Sequence, residues 1–102
     1  MSRMMVRYKV KPDQVARNEE LVRDVYAELA REQPDGLRYG TFRLDDGVSF
    51  VHVVSVETAD GSNPLPSLPA FQRFVDAIAD RLDEGPVTSD LTEIGSYRFV
   101  GE

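Results

Sequence analysis

The spacing of hydrophobic residues along the 102-residue chain switches between an alternating and a helical pattern. Alternating runs at 4–11, 37–44, 48–57 and 93–100 predict four strands, because successive side chains of a strand point to opposite faces. Two stretches with helical spacing lie after the first and the third run. The pattern therefore predicts the element order β-α-β-β-α-β.

The first helix is predicted to begin at Pro12-Asp13 and to end at Pro34 and Gly36. Proline suits a first helical turn, an acidic residue there complements the helix dipole, and glycine accepts the left-handed exit conformation. Its buried stripe is Leu21, Val22, Val25, Tyr26 and Leu29.

The second helix is predicted to have Ser67 as its cap and Pro69 in its first turn, and to stop at Gly85-Pro86. Its buried stripe is Phe71, Phe74, Val75, Ile78 and Leu82. The breaker-rich loop at 58–66 before it suits either a simple connector or a flap over a pocket mouth.

Asp45-Asp46-Gly47 supplies the positive-φ positions of a tight hairpin between the second and third strands. In the third strand, 50–54 is nearly continuous in apolar residues, which is typical of a strand buried on both faces. The two aspartates are expected to be turn residues that bond their own backbone, and no metal site is predicted.

Two β-α-β units with right-handed crossovers give an α+β, ferredoxin-like fold. It has a four-stranded antiparallel sheet, in the order 4-1-3-2, with both helices on one face. The length fits a single domain over 1–102. The helices cover only one face of this sheet, whereas the third strand is predicted to be buried on both. We therefore expect a second copy of the chain to cover the other face, in a homodimer that pairs as a dimeric α/β barrel.

The charge balance and cysteine content narrow the expected partners and location. Eighteen acidic against twelve basic residues give a net charge of −6, which disfavours binding to nucleic acid or anionic lipid. The chain has no cysteine, no signal peptide pattern and no window apolar enough to span a membrane. A cytoplasmic protein is expected.

Three segments resemble the dimeric α/β-barrel superfamily, in particular the small proteins grouped with antibiotic-biosynthesis monooxygenases. They are the strand that runs into a proline-started helix at 6–12, the hairpin and strand at 42–53, and the helix start at 68–74. The resemblance implies a dimer whose lumen between two sheets holds a small, often aromatic ligand. It also implies that oxidising members need no cofactor, because the substrate's own carbanion reduces oxygen. The haem-degrading branch is disfavoured, because this chain lacks tryptophan and its one histidine lies on a strand.

His52, the only histidine, is the candidate general base, since an imidazole titrating near neutral pH can accept a proton from a phenol or an activated methylene. That role requires His52 to face the lumen. The alternative is a hydrogen-bonded residue that faces the helices, and the two differ by one residue of strand register.

Further candidate ligand contacts lie on the strands. Arg7 and Lys9 share the polar side of the first strand and are candidates for binding a carboxylate or enolate. The alternative is that their side chains reach solvent or pair with acidic residues such as Glu57 or Glu93. Tyr39 and Tyr97 are candidate donors to a ligand oxygen, with packing as the alternative. Tyr8 and Tyr26 are predicted to be core residues.

These features predict a cofactor-independent monooxygenase acting on an aromatic or phenolic small molecule. The alternative is a non-catalytic dimer that binds a small hydrophobic molecule or acts as a stress or assembly module.

Overall fold

The computed structural model describes residues 2–99 and confirms the ferredoxin-like arrangement. Its elements are β1 (Ser2–Val10), α1 (Val15–Glu32), β2 (Leu37–Arg43), β3 (Ser49–Val56), α2 (Pro69–Val75), α3 (Ile78–Arg81) and β4 (Leu82–Asp90). Short 3-10 turns at Pro12–Gln14 and Leu65–Ser67 precede α1 and α2. The antiparallel sheet has the predicted strand order, β2-β3-β1-β4.

The helices pack on one face of this sheet and enclose the hydrophobic core. Tyr8 and Val10 of β1, Phe50 and Val54 of β3, and Phe74 of α2 belong to the core. We call this side the helix face and the opposite side the bare face. Because side chains alternate along a strand, even-numbered residues of β3 point to the helix face and odd-numbered residues to the bare face.

The hairpin between β2 and β3 forms at the predicted turn. Gly47 has a φ of 81°, and Oδ1 of Asp46 accepts hydrogen bonds from the backbone N–H groups of Val48 at 2.9 Å and Ser49 at 2.8 Å. The hydrogen bond that the Ser49 hydroxyl donates to Oδ2, together with these two backbone bonds, holds the pKa of Asp46 below its usual value. The prediction that these aspartates bond their own turn is confirmed for Asp46.

The second helix begins at Pro69, as predicted, but the predicted end of this helix and the predicted position of the last strand were wrong. The second helix ends at Arg81, in two pieces separated by Ala77 at a φ of 56°, and β4 runs through the predicted stop at Gly85-Pro86. Residues 91–99, predicted to be the last strand, contain no strand, and Val100 lies outside the described residues. We call 91–99 the C-terminal segment.

The exposure of β4 explains this error. β4 is an edge strand and is exposed along nearly its whole length, so it carries no apolar alternation and tolerates a proline. The predicted cap at Ser67 is also absent, because its hydroxyl donates to the carbonyl of Pro64 at 2.7 Å and Leu68 occupies the N-cap position of α2.

The loop at 58–66 is held by its own polar groups. Thr58 Oγ1 donates to the carbonyl of Ser62 at 2.7 Å, and Oδ1 of Asp60 accepts from the backbone N–H of Ser62 at 3.0 Å. Within residues 2–99, no helix is long and apolar enough to cross a membrane.

Candidate active site

A row of residues on the helix face brings polar side chains together across three strands. His52 of β3 lies opposite Val6 of β1 and Thr41 of β2. Tyr8 lies two positions after Val6 in β1, and Tyr39 lies two positions before Thr41 in β2. Each is at a diagonal distance from His52 that a long side chain can span. The strand register therefore converges two tyrosines on the one histidine.

Both ring nitrogens of His52 are bonded to hydroxyl groups. Nε2 lies 2.7 Å from the Tyr8 hydroxyl, and Nδ1 lies 2.6 Å from the Tyr39 hydroxyl and 3.1 Å from Oγ1 of Thr41. The imidazole is only 4% exposed. Of the two orientations that the sequence left open, the structure has the hydrogen-bonded one that faces the helices.

The polar cluster continues in both directions from His52. Towards the helices, the Tyr8 hydroxyl accepts from Nδ2 of Asn18 at 2.9 Å, and Oδ1 of Asn18 accepts from Nε of Arg81 at 3.3 Å. Towards the β2 edge, Thr41 Oγ1 lies 2.7 Å from the Tyr26 hydroxyl. We call this set the polar chain; its members are Arg81, Asn18, Tyr8, His52, Tyr39, Thr41 and Tyr26.

Burial keeps the titratable members of the polar chain neutral, apart from Arg81. It lowers the pKa of His52 to about 4 and raises the pKa of Tyr8 to about 12 against the opposing effect of the Asn18 hydrogen bond. It also raises the pKa of Tyr39 and Tyr26 above the usual tyrosine value. At pH 7 His52 is therefore an unprotonated imidazole between two protonated phenols.

Aromatic rings enclose the polar chain. The Phe74 ring lies 5.3 Å from the His52 ring, and Phe50 stacks on Tyr8 at 5.6 Å. The guanidinium of Arg81 lies 5.4 Å from the centre of Phe74. These apolar faces exclude water and so strengthen the hydrogen bonds that they surround.

The polar chain reaches the surface between α1 and β2. Tyr26 and Tyr39 stack with ring centres 5.3 Å apart and both line a hollow of about 350 Å³. We call it the tyrosine hollow; its other lining residues are Leu29, Ala30, Gln33, Pro34 and Leu37. A small aromatic ligand seated there would meet the side chains of two tyrosines and apolar carbon atoms.

A larger groove, of about 530 Å³, lies on the bare face, away from His52. Phe42, Val53 and Ser55 form part of its floor, and the C-terminal segment closes one side. Arg3 donates to Ser55 Oγ at 3.2 Å and forms an ion pair with Glu93 of that segment. We call it the bare-face groove.

The structure separates the residues that the sequence proposed for one ligand site. Only His52 and Tyr39 come together. Arg7 and Lys9 lie on the bare face, where Arg7 pairs with Val51 and Val87 of the neighbouring strands. Their suggested acidic partners bind other arginines, since Glu57 pairs with Arg38 and Glu93 pairs with Arg3.

The placement of Tyr97 on a strand was wrong. Tyr97 lies in the C-terminal segment and is 80% exposed, and the guanidinium of Arg98 lies 5.1 Å from the centre of its ring. The alternation of Tyr97 and Phe99 suggested a strand, but no neighbouring strand pairs with this part of the chain.

Sequence reasoning missed Asn18 and Arg81. Both are polar residues in the apolar stripe of a helix: Asn18 precedes Leu21 by three residues, and Arg81 follows Ile78 by three. Asn18 is fully buried and Arg81 is 5% exposed. A polar residue at a stripe position was the available signal, because burial there requires a polar partner.

Within residues 2–99, no cluster of three or more histidine, cysteine, aspartate or glutamate residues could hold a metal ion, and no buried side-chain nitrogen or oxygen atom lacks a hydrogen-bond partner. The polar chain is thus internally satisfied. Its outer end at the tyrosine hollow is the part that a ligand can reach.

No protein-family sequence model matches this chain, and no curated protein matches it in sequence. Solved structures do match it. A protein named "putative antibiotic biosynthesis monooxygenase" from Nitrosomonas europaea is 21% identical over 93% of this chain and 100% of its own, with a TM-score of 0.76. The chain has the fold of that protein.

Two further structures show what this fold does and does not define. SnoaB of Streptomyces nogalater, described as a cofactor-independent oxygenase, is 18% identical over 95% of this chain and 96% of its own, with a TM-score of 0.68. A conserved protein from Methanosarcina mazei, named without an activity, is 14% identical over 88% of this chain and 89% of its own, with a TM-score of 0.71. The predicted likeness to the antibiotic-biosynthesis-monooxygenase group is confirmed for the fold.

Proposed function

We propose that this protein is a cofactor-independent oxygenase that acts on an aromatic small molecule bound in the tyrosine hollow. The observation that carries the proposal is the pairing of Tyr39 with a buried, neutral His52 at 2.6 Å, beside a hollow with apolar walls. The structural likeness to an oxygenase that needs no cofactor supports it. The Tyr39 hydroxyl is the group that meets a substrate oxygen.

The reaction requires one acidic carbon and molecular oxygen. An aryl methylene loses a proton to give an enolate, and the enolate carbon bonds to one atom of O₂. The resulting peroxide loses water, so a methylene becomes a carbonyl: one oxygen atom enters the product and the other leaves in water with the two hydrogens. The role of the protein in this step is to stabilise the enolate oxygen in a site shielded from solvent.

His52 acts in this proposal through Tyr39. Both ring nitrogens are bonded to hydroxyls and the ring is 4% exposed, so the imidazole has no direct contact with a ligand in the hollow. Its part is to position and polarise the Tyr39 hydroxyl. The role of a direct base, predicted from the sequence, stays a prediction.

Anthrone is a suitable first probe, because its methylene is acidified by an aryl ketone. We expect the purified chain to consume one O₂ per anthraquinone formed, above the spontaneous rate and without added metal or flavin. Tyr39→Phe should lower kcat by about 10²-fold, the usual effect of removing a hydrogen bond to a developing oxyanion. Tyr97 does not line the hollow, so Tyr97→Phe is the matched control and should leave the rate unchanged.

An uptake rate equal to the spontaneous one, with anthrone and with a panel of phenols, would overturn the oxygenase proposal. Equal rates for the wild type and Tyr39→Phe would instead mean that the reaction takes place in another part of the molecule.

We also propose that a second copy of the chain covers the bare face. Phe42, Val51, Arg7 and Val87 form one row across all four strands there, and Phe42 and Val87 are 56% and 61% exposed. In the C-terminal segment, Ile94 is 95% exposed. Apolar residues concentrated on one face mark a contact surface rather than a solvated one.

The bare-face groove supports a second candidate function, a non-catalytic protein that binds a small hydrophobic molecule. The groove is larger than the tyrosine hollow, with Phe42, Val53 and Leu91 among its apolar walls and Arg3 at its edge. Tyr26 lines the hollow but not the groove, and Val53 lines the groove but not the hollow. A ligand that raises the melting temperature of the wild type and of Tyr26→Phe equally, but not that of Val53→Arg, would favour this function over the oxygenase.

A further inference from the structure

We infer that the polar chain is a one-way series of hydrogen bonds that begins at Arg81 and ends as a hydroxyl donor in the tyrosine hollow, so the ligand atom it meets is an acceptor oxygen. In this arrangement Asn18 and Arg81 are positioning residues, although neither reaches the hollow. The ligand class is then an aryl ketone or a phenolate. The direction of the chain rests on the hydrogen-bond geometry together with the neutral state of the buried His52, whereas the ligand class rests on the proposed function.

Arg81 fixes the first step. A guanidinium has only donors, so Nε of Arg81 must donate to the oxygen of the Asn18 amide, at 3.3 Å. Arg81 is held in place by its further bonds to the carbonyls of Phe74 and Asp76. With its oxygen facing Arg81, the Asn18 amide presents its NH₂ group to the Tyr8 oxygen, at 2.9 Å.

The same donor-to-acceptor direction continues from Tyr8 to His52. Its oxygen accepts from Asn18, and its single proton needs an acceptor because the side chain is buried. Nε2 of His52, at 2.7 Å, is that acceptor. The opposite assignment would give the Tyr8 oxygen two donors and leave its own proton without a partner.

A neutral imidazole carries one proton, so Nδ1 holds it when Nε2 is an acceptor. Nδ1–H therefore donates to the Tyr39 oxygen at 2.6 Å, with Thr41 Oγ1 at 3.1 Å as a second acceptor. The Tyr39 proton is left to point outward, either directly into the hollow or to Thr41. In the second case Thr41 donates to Tyr26, which lines the same hollow.

Either route ends with a tyrosine O–H directed at the ligand, with donors aligned behind it. Aligned hydrogen bonds polarise one another, so this terminal hydroxyl is a stronger donor than an isolated tyrosine. Such a donor favours a carbonyl or an anionic oxygen over the hydrogen of a neutral phenol. That preference matches an enolate, the species that forms from an aryl ketone with an acidic carbon.

The protonated nitrogen of His52 tests the direction. His52 is the only histidine, so labelling the full chain with ¹⁵N-histidine gives one side chain in a long-range ¹H–¹⁵N correlation spectrum. We expect the Nδ1–H form at neutral pH. An Nε2–H form, or a charged ring, in the wild type would overturn the inference without any variant.

Asn18→Asp reverses the direction with a nearly isosteric change. A carboxylate cannot donate, so the Tyr8 proton would turn to residue 18, and the Tyr8 oxygen would accept from His52. We expect Nε2 to become a protonated nitrogen in this variant. Asn18→Leu removes the amide without supplying an acceptor, so it shows how altered packing at residue 18 alone affects the His52 spectrum. A folded Asn18→Asp variant that keeps Nδ1–H with a bare Nε2 would contradict the positioning role of Asn18.

The ligand class is tested with 1-tetralone, an aryl ketone, and tetralin, which has the same carbon skeleton without oxygen. We expect Tyr39→Phe or Tyr26→Phe to raise the Kd of 1-tetralone about 10-fold and to leave tetralin binding unchanged, with Tyr97→Phe as the control. Equal loss for both compounds would reject the ligand class. If His52 still shows Nδ1–H, the direction stands; oxygen uptake tests the proposed function separately.

Discussion

At the scale of single residues, the burial of His52 makes the stability of the fold depend on pH. Its pKa is lowered from 6.5 to about 4, so between these values the unfolded chain binds one more proton at this site than the folded chain. Stability from this site is therefore complete above pH 6.5 and is lost as the pH falls towards 4. The linked free energy is about 3 kcal/mol over that range.

We expect urea unfolding of the wild type to show this loss between pH 6.5 and pH 4. His52→Gln, which keeps amide donors and an acceptor but does not titrate, should lack that part of the slope. Carboxylates such as Asp46 and Glu57 also titrate as the pH falls, and the difference between the two profiles removes their contribution. Parallel profiles for the two proteins would contradict the predicted pKa.

The same residue shows how far a sequence can define a site. The buried strand that carries it was predicted from residue type and spacing, and Tyr39 was among the residues proposed for the same ligand site. The face to which His52 points was not predicted, because one residue of register exchanges the two faces and the apolar run at 50–54 is compatible with both. Asn18 stands at a position of the apolar stripe of α1, which marks it for a polar partner, but only the tertiary contacts identify that partner as Tyr8.

At the scale of secondary structure elements, Gly85 joins β4 to β1. Its φ is 90°, and a Cβ atom there would lie 2.9 Å from the carbonyl oxygen of Arg7 and 3.2 Å from Cα of Tyr8. The register between β1 and β4 shifts at this place, between Arg7 and Lys9. Only a residue without a side chain fits between the two strands.

Gly85→Ala should therefore destabilise the fold by about 3 kcal/mol, from the left-handed backbone and from contact with β1. Gly47→Ala is the matched control: Gly47 has a φ of 81° but no atom within 4 Å of its Cβ position, so it should lose only about 1–2 kcal/mol. Thermal unfolding of both variants measures the difference. Equal losses would mean that the approach of the two strands is unimportant.

Elements with a buried face were predictable, and β4 was not. β1, α1, β2 and β3 each place apolar side chains against the core, so their periodicity is visible in the sequence. β4 has exposed residues on both faces, and the glycine and proline inside it suggested the end of a helix. The apolar C-terminal segment carried the alternation that β4 lacks, so the strand was assigned eleven residues too late.

At the scale of the whole molecule, the bare face predicts the assembly. The row of Phe42, Val51, Arg7 and Val87 crosses the full width of the sheet, and the exposed C-terminal segment adds Ile94 and Phe99 beside it. A stable interface buries about 1,600 Å² in total, so each copy contributes about half of that area. Light scattering at micromolar concentration should give twice the mass of the 11.5 kDa chain.

Phe42→Lys combined with Val87→Lys should convert this dimer to a monomer, because four buried ammonium groups would then face one another across the twofold axis without anionic partners. Ala27→Lys, on the exposed side of α1, adds the same type of charge away from the sheet and should leave the mass unchanged. The His52 spectrum reports whether the monomer keeps its fold. A wild-type protein that is already monomeric would contradict the proposed assembly, and the apolar row would then have to bind a different partner.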